Sequence, residues 1–470
     1  MINSKLIRLY RQLDKPALRH FKKWIQSPLH NQHEDVCELF HYLESRKSLT
    51  AVSLGKERVF HHLFPGQPYH DARLRTVQNL ALETLNHFVG YYYTVSSPFQ
   101  SELNITRALF HWDQPEAAGN VLEKIRQGLN TLPELSESVL LQRYQVEQIS
   151  FELAGTQTRT ASNNLPKLFE SLSAFFAQST LRYACIAASH THVSASQYEI
   201  PLLPEVIAAV EKGLWNAQPP ISLYYHAYLA LSQIGTQHFK PLKSAFFSFR
   251  HYLPLHEQQE LLLMAINACI KQLNTGEEAY AREAFELYEQ GLETGVLLDG
   301  EQLSRFTYKN IVSVSLKLGE YAWTESFIEK YTQKLEPNFR DSYHNYNLAR
   351  LYFAKGEHQD AQKLLTRITA YDDAFFDLGV RMMLLKIYYE SGETDALEAL
   401  LTSFSRYLQR KKSLGYHKQV YQNIIRLARK ILTLPPHDPE AQAALREEIN
   451  ETHPLAERGW LLGQLEKGRE

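Results

Sequence analysis

A chain of 470 residues with 50 Lys plus Arg against 52 Asp plus Glu has a formal charge of −2, which excludes a generic polyanion binder working through excess positive charge. At 44% hydrophobic and 22% charged residues, it has the apolar content for a large core and lies far from disordered compositions. Cys37, Cys185 and Cys269 are an odd number without a CxxC pair, which excludes a disulfide framework and reads as reduced thiols.

The opening stretch Met1-Ile2-Asn3-Ser4-Lys5-Leu6-Ile7-Arg8 is interrupted by charge and lacks the apolar run of an export signal. The longest apolar runs, such as Val206-Ile207-Ala208-Ala209-Val210, fall far short of the ~20 residues that cross a bilayer. A soluble, cytoplasmic protein without membrane contact is expected. Apolar residues recur at three- and four-residue steps nearly everywhere and strict alternation is almost absent, so the fold class is all-α.

Residues 1–95 read as a small helical N-terminal module, punctuated by Asp14-Lys15-Pro16, Ser27-Pro28 and Phe64-Pro65-Gly66, each a stop or start signal. Its longest segment runs from Asp71, read as the N-cap, to about Val95, with Leu74, Val77, Ala81, Leu85 and Phe88 as its apolar stripe. The first 30 residues hold Lys5, Arg8, Arg11, Lys15, Arg19, Lys22 and Lys23 against the single acid Asp14. Interleaved with Tyr10, Phe21 and Trp24, these cations suit phosphate contacts and the rings suit base stacking. The competing reading is a solvated face on two amphipathic helices whose Leu6, Leu9, Leu13, Leu18 and Ile25 point inward.

From residue 96 onward a turn recurs. Gly276, Gly319, Gly356 and Gly392 each close a helical stretch and are followed by Glu277, Glu320, Glu357 and Glu393. Glycine suits the left-handed residue that ends one helix, and a carboxylate suits the first turn of the next. The glycines stand 43, 37 and 36 residues apart. Stepping back through Gly235, the small polar stretch Ser194-Ala195-Ser196, Gly155 and Asp113 gives about eight helix-turn-helix units over residues 96–412, best defined over 262–412; such a period means an α-solenoid. Residues 413–470 read as capping helices after the loop Leu434-Pro435-Pro436-His437-Asp438-Pro439, with Glu447, Glu448, Glu451, Glu457, Arg458, Glu466, Lys467 and Arg469 as a polar outer face.

The unit Leu348-Ala349-x-x-Tyr352-x-x-x-Gly356-x-x-x-x-Ala361-x-x-x-Leu365 resembles the tetratricopeptide repeat family. Gly276-x-x-x-x-Ala281-x-x-x-Phe285 matches its second helix, and Leu384-Leu385-x-x-Tyr388-x-x-x-Gly392 its first, although Ala396 sits one position early. The resemblance covers about residues 262–402, and its spacing exceeds the family's usual ~34 residues, so longer helices or extended connections between pairs are expected. The N-terminal part, with Phe21-Lys22-Lys23-Trp24-Ile25-Gln26-Ser27-Pro28 and Leu63-Phe64-Pro65, resembles uncharacterised bacterial repeat proteins. The family resemblance implies a right-handed α-solenoid of helix pairs whose first helices line a concave groove. The corresponding positions are Tyr343, Tyr346, Arg350 and Phe353 in the unit ending at Gly356, Met382, Lys386 and Tyr389 in the next, and Lys309 in the unit before.

Catalytic and metal motifs are absent from the sequence pattern. His256-Glu257-Gln258-Gln259-Glu260 lacks the second histidine of a zinc-binding helix. His33, Cys37 and His41 share a helical stripe, but their first and last members are about 12 Å apart along the axis, too far to share one ion. No GxxxxGK[ST], GxGxxG or GxSxG string occurs. The expectation is therefore a non-catalytic interaction scaffold without cofactor or metal, binding a protein or peptide through Lys309, Tyr343, Tyr346, Arg350, Phe353, Lys386 and Tyr389. The alternative is a regulator whose basic N-terminal module binds nucleic acid while the repeats sense a partner.

Overall fold

A computed structural model describes residues 1–132, 135–155, 164–193, 197–232, 236–368, 374–411, 414, 416–435 and 438–467. Among them the fold is all-α, with 23 α-helices and one hairpin of two-residue strands. The chain divides into two compact units, Met1–Phe176 and Ala177–Glu470.

The first unit begins with α1 (Lys5–Tyr10), α2 (Lys15–Ile25), α3 (Glu34–Glu44) and α4 (Lys56–Leu63), all packed on the long α5 (Asp71–Ser96). Ser4 and Asp14 cap α1 and α2, each accepting a backbone N–H with its side chain. Leu6, Phe21, Phe40, Phe60, Leu74 and Phe88 belong to one buried core. Leu6 and Ile25 point inward, whereas Leu9, Leu13 and Leu18 are half-buried. The cap of α5 falls one residue earlier than the sequence suggests. His70 is extended and its Nδ1 accepts the N–H of Arg73, because Asp71 is engaged elsewhere. The Asp71 carboxylate accepts from the Tyr69 hydroxyl at 2.6 Å and Lys56 at 2.9 Å, and pairs with Arg75. Beyond α5, α6 (Pro98–His111), α7 (Pro115–Thr131) and α8 (Glu137–Gly155) pack in succession over Leu103, Leu122, Val146 and Ile149. The chain then enters α9 (Leu165–Val193), which runs through the division between the units.

The second unit continues with α10 (Leu203–Glu211), α11 (Pro219–Ser232), α12 (Phe239–Phe249), α13 (Leu255–Asn274) and α14 (Ala279–Glu293). The strands β1 (Leu298–Asp299) and β2 (Gln302–Leu303) form the hairpin. Then come α15 (Arg305–Lys317), α16 (Tyr321–Tyr331), α17 (Arg340–Ala354), α18 (His358–Thr366), α19 (Ala374–Glu390), α20 (Thr394–Arg410), α21 (Tyr416–Leu432), α22 (Pro439–Glu451) and α23 (Arg458–Lys467). From α13 to α21 each helix packs on the next, and α15 also touches α17, as α17 touches α19. The length added between pairs lies in the connections: the hairpin separates α14 from α15, and two 3-10 turns separate α16 from α17.

Four of these pairs close on one backbone device. In the α17–α18 turn, Gly356 N–H donates to Phe353 O at 3.0 Å and Glu357 N–H to Tyr352 O at 2.8 Å, with Gly356 at φ +82°. This Schellman arrangement satisfies carbonyls that a helix end would otherwise strand. The same two bonds recur at Gly276, Gly319 and Gly392. Between α6 and α7 Asp113 performs the task at φ +57°, donating to Phe110 O while Gln114 donates to Leu109 O; Asp tolerates the left-handed region better than most side chains. The proposed turns at Gly235 and Ser194-Ala195-Ser196, and Pro436 and His437 of the proline loop, lie outside the described residues.

Two predictions follow from these local contacts. Gly356→Ala meets open space but forces a side chain into the left-handed region, so it is expected to cost about 1 kcal/mol, read as a lower thermal unfolding temperature with unchanged helix content. The Asp71 carboxyl is held at about 2, below the ordinary 3.8, first by the Tyr69 hydroxyl and then by Lys56. A depressed carboxyl contributes fully above its unfolded value and loses that contribution as pH falls through the folded one. Carboxyl NMR should place the Asp71 midpoint near 2, rising toward the ordinary value in Tyr69→Phe.

Candidate functional site

In the second unit, α15, α17, α19 and α21 together with the residue preceding α23 enclose a cavity of about 320 Å³. Helix α17 contributes Tyr346 and Arg350, one turn apart on one face. Lys309 enters from α15, and Gly379, Met382, Met383 and Lys386 from α19. Phe375, His417, Tyr421 and Glu457 complete the wall.

Each cation is fixed differently. Arg350 reaches across to α15, where its guanidinium donates to Ser313 Oγ at 2.8 Å and Lys309 O at 3.3 Å, and also to Asn347 Oδ1 on its own helix. All three acceptors are neutral, so the positive charge of Arg350 is oriented without being cancelled. Lys386, with a side chain 14% exposed, pairs at 2.6 Å with Glu457. Among the described residues lining the cavity, Glu457 is the one carboxylate facing Lys309, Arg350 and Lys386.

Two phenols turn toward the same space. Tyr346 is 5% exposed, its ring packs against Phe376, and its hydroxyl lies so close to Gly379 that a Cβ there would stand 2.8 Å from Oη. Burial raises its pKa, Arg350 opposes that shift, and Glu457 adds to it. Tyr421 is pushed up to about 12, first by burial and then by Tyr346 and Glu457. Both phenols therefore stay protonated and keep an O–H donor at neutral pH. Neither hydroxyl makes a hydrogen bond to another described residue.

The seven residues singled out by sequence divide into three environments. Lys309, Tyr346, Arg350 and Lys386 share the cavity. Tyr343 is buried, stacked on Phe376 at 4.7 Å, and works as core. Phe353 and Tyr389 belong to a second cluster centred on Glu390. Phe353 stacks on His358, His358 lies 3.6 Å from Glu390, and Tyr389 meets the edge of Trp460, whose Nε1 donates to Glu390 at 2.6 Å. This cluster seats α23. Glu457, expected on the polar outer face, points instead to Lys386, whereas Glu448 pairs with Lys430 and Arg426, and Glu466 with Arg446. Tyr421, His417 and Glu457 carry no signal in the sequence, since their place depends on how residues 416–457 fold back.

The other motifs resolve into local structure. His33 precedes α3, Cys37 donates to Ile25 O and accepts from Asn31, and His41 lies by Glu38. Glu257 accepts the Tyr224 hydroxyl in the core and Glu260 pairs with Arg182. Among the described residues no group of three or more His, Cys, Asp or Glu side chains is arranged to hold a metal ion, and no helix is long and apolar enough to cross a membrane. In the N-terminal stretch Phe21 is buried, Tyr10 packs on Phe40, and Trp24 lies stacked against His30 at 3.6 Å and beside Tyr91. The rings that a base would stack on are thus engaged with one another, and Arg11 and Lys22 are held by Leu49 O and Glu44.

Comparison of the chain with protein-family models, with curated proteins and with solved structures finds no match, so the functional reading rests on geometry. A steric test of the cavity wall is Gly379→Ala. The added methyl has to displace the Tyr346 ring, so a cost of about 1–3 kcal/mol is expected, read as a lower melting temperature and a changed near-UV tyrosine signal. Unchanged values for both would show that the ring has room to move.

Proposed function

We propose that this chain is a non-catalytic interaction scaffold, a right-handed α-solenoid of tetratricopeptide-like helix pairs working in the cytoplasm, that receives a protein or peptide segment at the cavity between α15, α17, α19 and α21. The observation that carries the reading is the convergence of Lys309, Arg350 and Lys386 with the unpaired hydroxyls of Tyr346 and Tyr421. A site rich in donors, walled by aromatic rings and methionines, has the chemistry by which a groove anchors a polar side chain of a partner. The first-helix contacts Arg350–Ser313 and Tyr346–Phe376 support a continuous face of stacked pairs. The nucleic-acid alternative draws on the exposed Lys5, Arg8, Lys15, Arg19 and Lys23; the rings of the same stretch, Tyr10, Phe21 and Trp24, are packed against other rings, and we rank it second.

The test is a triple variant, Tyr346→Phe, Arg350→Gln and Lys386→Gln, compared with the intact chain for binding to proteins captured on it and then purified. Binding to a true groove partner should weaken about tenfold or more, as for central interface anchors, with helix content preserved. Equal binding by the two forms would remove the cavity from the interface.

A further inference from the structure

We infer that the N-terminal module carries a docking site of its own, a small apolar pocket beside Arg19 that takes one large apolar side chain from an acidic peptide segment. It belongs to the first unit and is independent of the cavity lined by Arg350 and Lys386.

The pocket, of about 260 Å³, is lined by residues of α1, α2 and α3. It arises from the way α2 divides its faces. Ala17, Phe21 and Ile25 recur every four residues and are buried, while Lys15, Arg19 and Lys22 follow at steps of four and three and are exposed. Leu18 is half-buried between these stripes. With Phe21, Ile25 and Phe40 it supplies the apolar lining, and Arg19 and Lys22 stand at the exposed edge. At this size, below the ~300–1,000 Å³ of small-molecule sites, the pocket suits a single side chain. Phe21 meets Phe40 edge-on at 4.6 Å, and Tyr10 leans on Phe40 at 5.8 Å, so the rings of the lining are engaged with one another, which disfavours base stacking.

The charges at the edge decide what the segment carries beside that side chain. Glu44 is the one carboxylate lining the pocket among the described residues, and Lys22 meets it at 3.1 Å in a pair whose side chains are each 51% exposed, a weak link in water. The other acids nearby serve elsewhere. Asp14 caps α2 through the Ala17 N–H, Glu38 lies by His62 and His41, and Glu34 and Asp35 stand in the first turn of α3, at the end away from the pocket. Lys15, Arg19 and Lys23 make no hydrogen bond or ion pair with a described residue. The pocket therefore lies along a stripe of cations whose charge the fold does not use, and carboxylates flanking the inserted side chain complement it.

The experiment uses the full chain and three fluorescein-labelled nonapeptides, amidated at the C-terminus: one with a central Phe flanked by acids, one with Ala in place of the Phe, and one with Gln in place of the acids. A labelled oligothymidylate of the same length is run beside them. Fluorescence anisotropy is measured with the wild type, Arg19→Glu and Leu18→Arg, and circular dichroism reports on the fold; Arg19 is exposed, so its variant keeps the fold if the other does not. The wild type should bind the acidic Phe peptide about tenfold or more tightly than either control peptide, and each folded variant should bind it about fivefold or more weakly. Leu18→Arg adds positive charge while filling the pocket, so attraction by charge alone would strengthen binding there. That gain, or equal binding of the Phe and Ala peptides, overturns the pocket as the site. Equal binding of the acidic and Gln peptides overturns the acidic partner. Tighter binding of the oligonucleotide, lost in Arg19→Glu, replaces the peptide by nucleic acid and overturns the inference. The Tyr346, Arg350 and Lys386 triple variant should bind the acidic Phe peptide as the wild type does, and loss there moves the peptide to the other cavity and overturns the inference. No binding of the acidic Phe peptide by the wild type overturns it and leaves the reading of that other cavity as it stands.

Discussion

The helix pairs that close at Gly276, Gly319, Gly356 and Gly392 reverse the chain within about three residues without stranding the carbonyls at the end of the first helix, and the left-handed residue in the turn makes that reversal feasible. At Gly276, Gly319, Gly356 and Gly392 the two closing bonds are the same, so successive pairs leave their turns in a common way. Asp113 fills this role between α6 and α7 with a side chain that tolerates the strain. Because the reversal is tight, the stripe of one helix is covered by the next, and first helices come into contact across pairs, as α15 does with α17 and α17 with α19. That adjacency brings Lys309, Tyr346 and Lys386 from three separate helices to one cavity.

The cavity accumulates donors because the groups that position its cations are mostly uncharged. Ser313, Asn347 and the carbonyl of Lys309 hold Arg350 in place without neutralising it. Tyr346 joins two roles: its ring packs against Phe376 and lies near the Arg350 guanidinium, and its hydroxyl ends against the only kind of residue that leaves it space, a glycine at 379. The cluster at Glu390, with His358, Trp460 and Gln464, seats α23 and delivers Glu457 to Lys386. Side chains that hold the fold together therefore also line the cavity, and the C-terminal helix is part of the cavity's electrostatics.

The sequence by itself determined the all-α class and the reversals at Gly276, Gly319, Gly356 and Gly392, because these depend on periodicity and on φ preferences that act within a few residues. The resemblance to tetratricopeptide repeats, and no local pattern, singled out Lys309, Tyr346, Arg350 and Lys386, which line one cavity. The one-residue error at Asp71 shows the limit of local reasoning: Tyr69 and Lys56 draw the carboxylate away and leave the cap to His70. Only the tertiary structure decided what each singled-out side chain meets. Tyr343 is covered by Phe376 and becomes core, Phe353 and Tyr389 are drawn to the Glu390 cluster one turn beyond the cavity, and Glu457 leaves the expected outer face for Lys386 across 71 residues of chain. A helical period specifies the direction in which a side chain points; its neighbour is chosen by segments far along the chain, through packing and charge that no local pattern encodes.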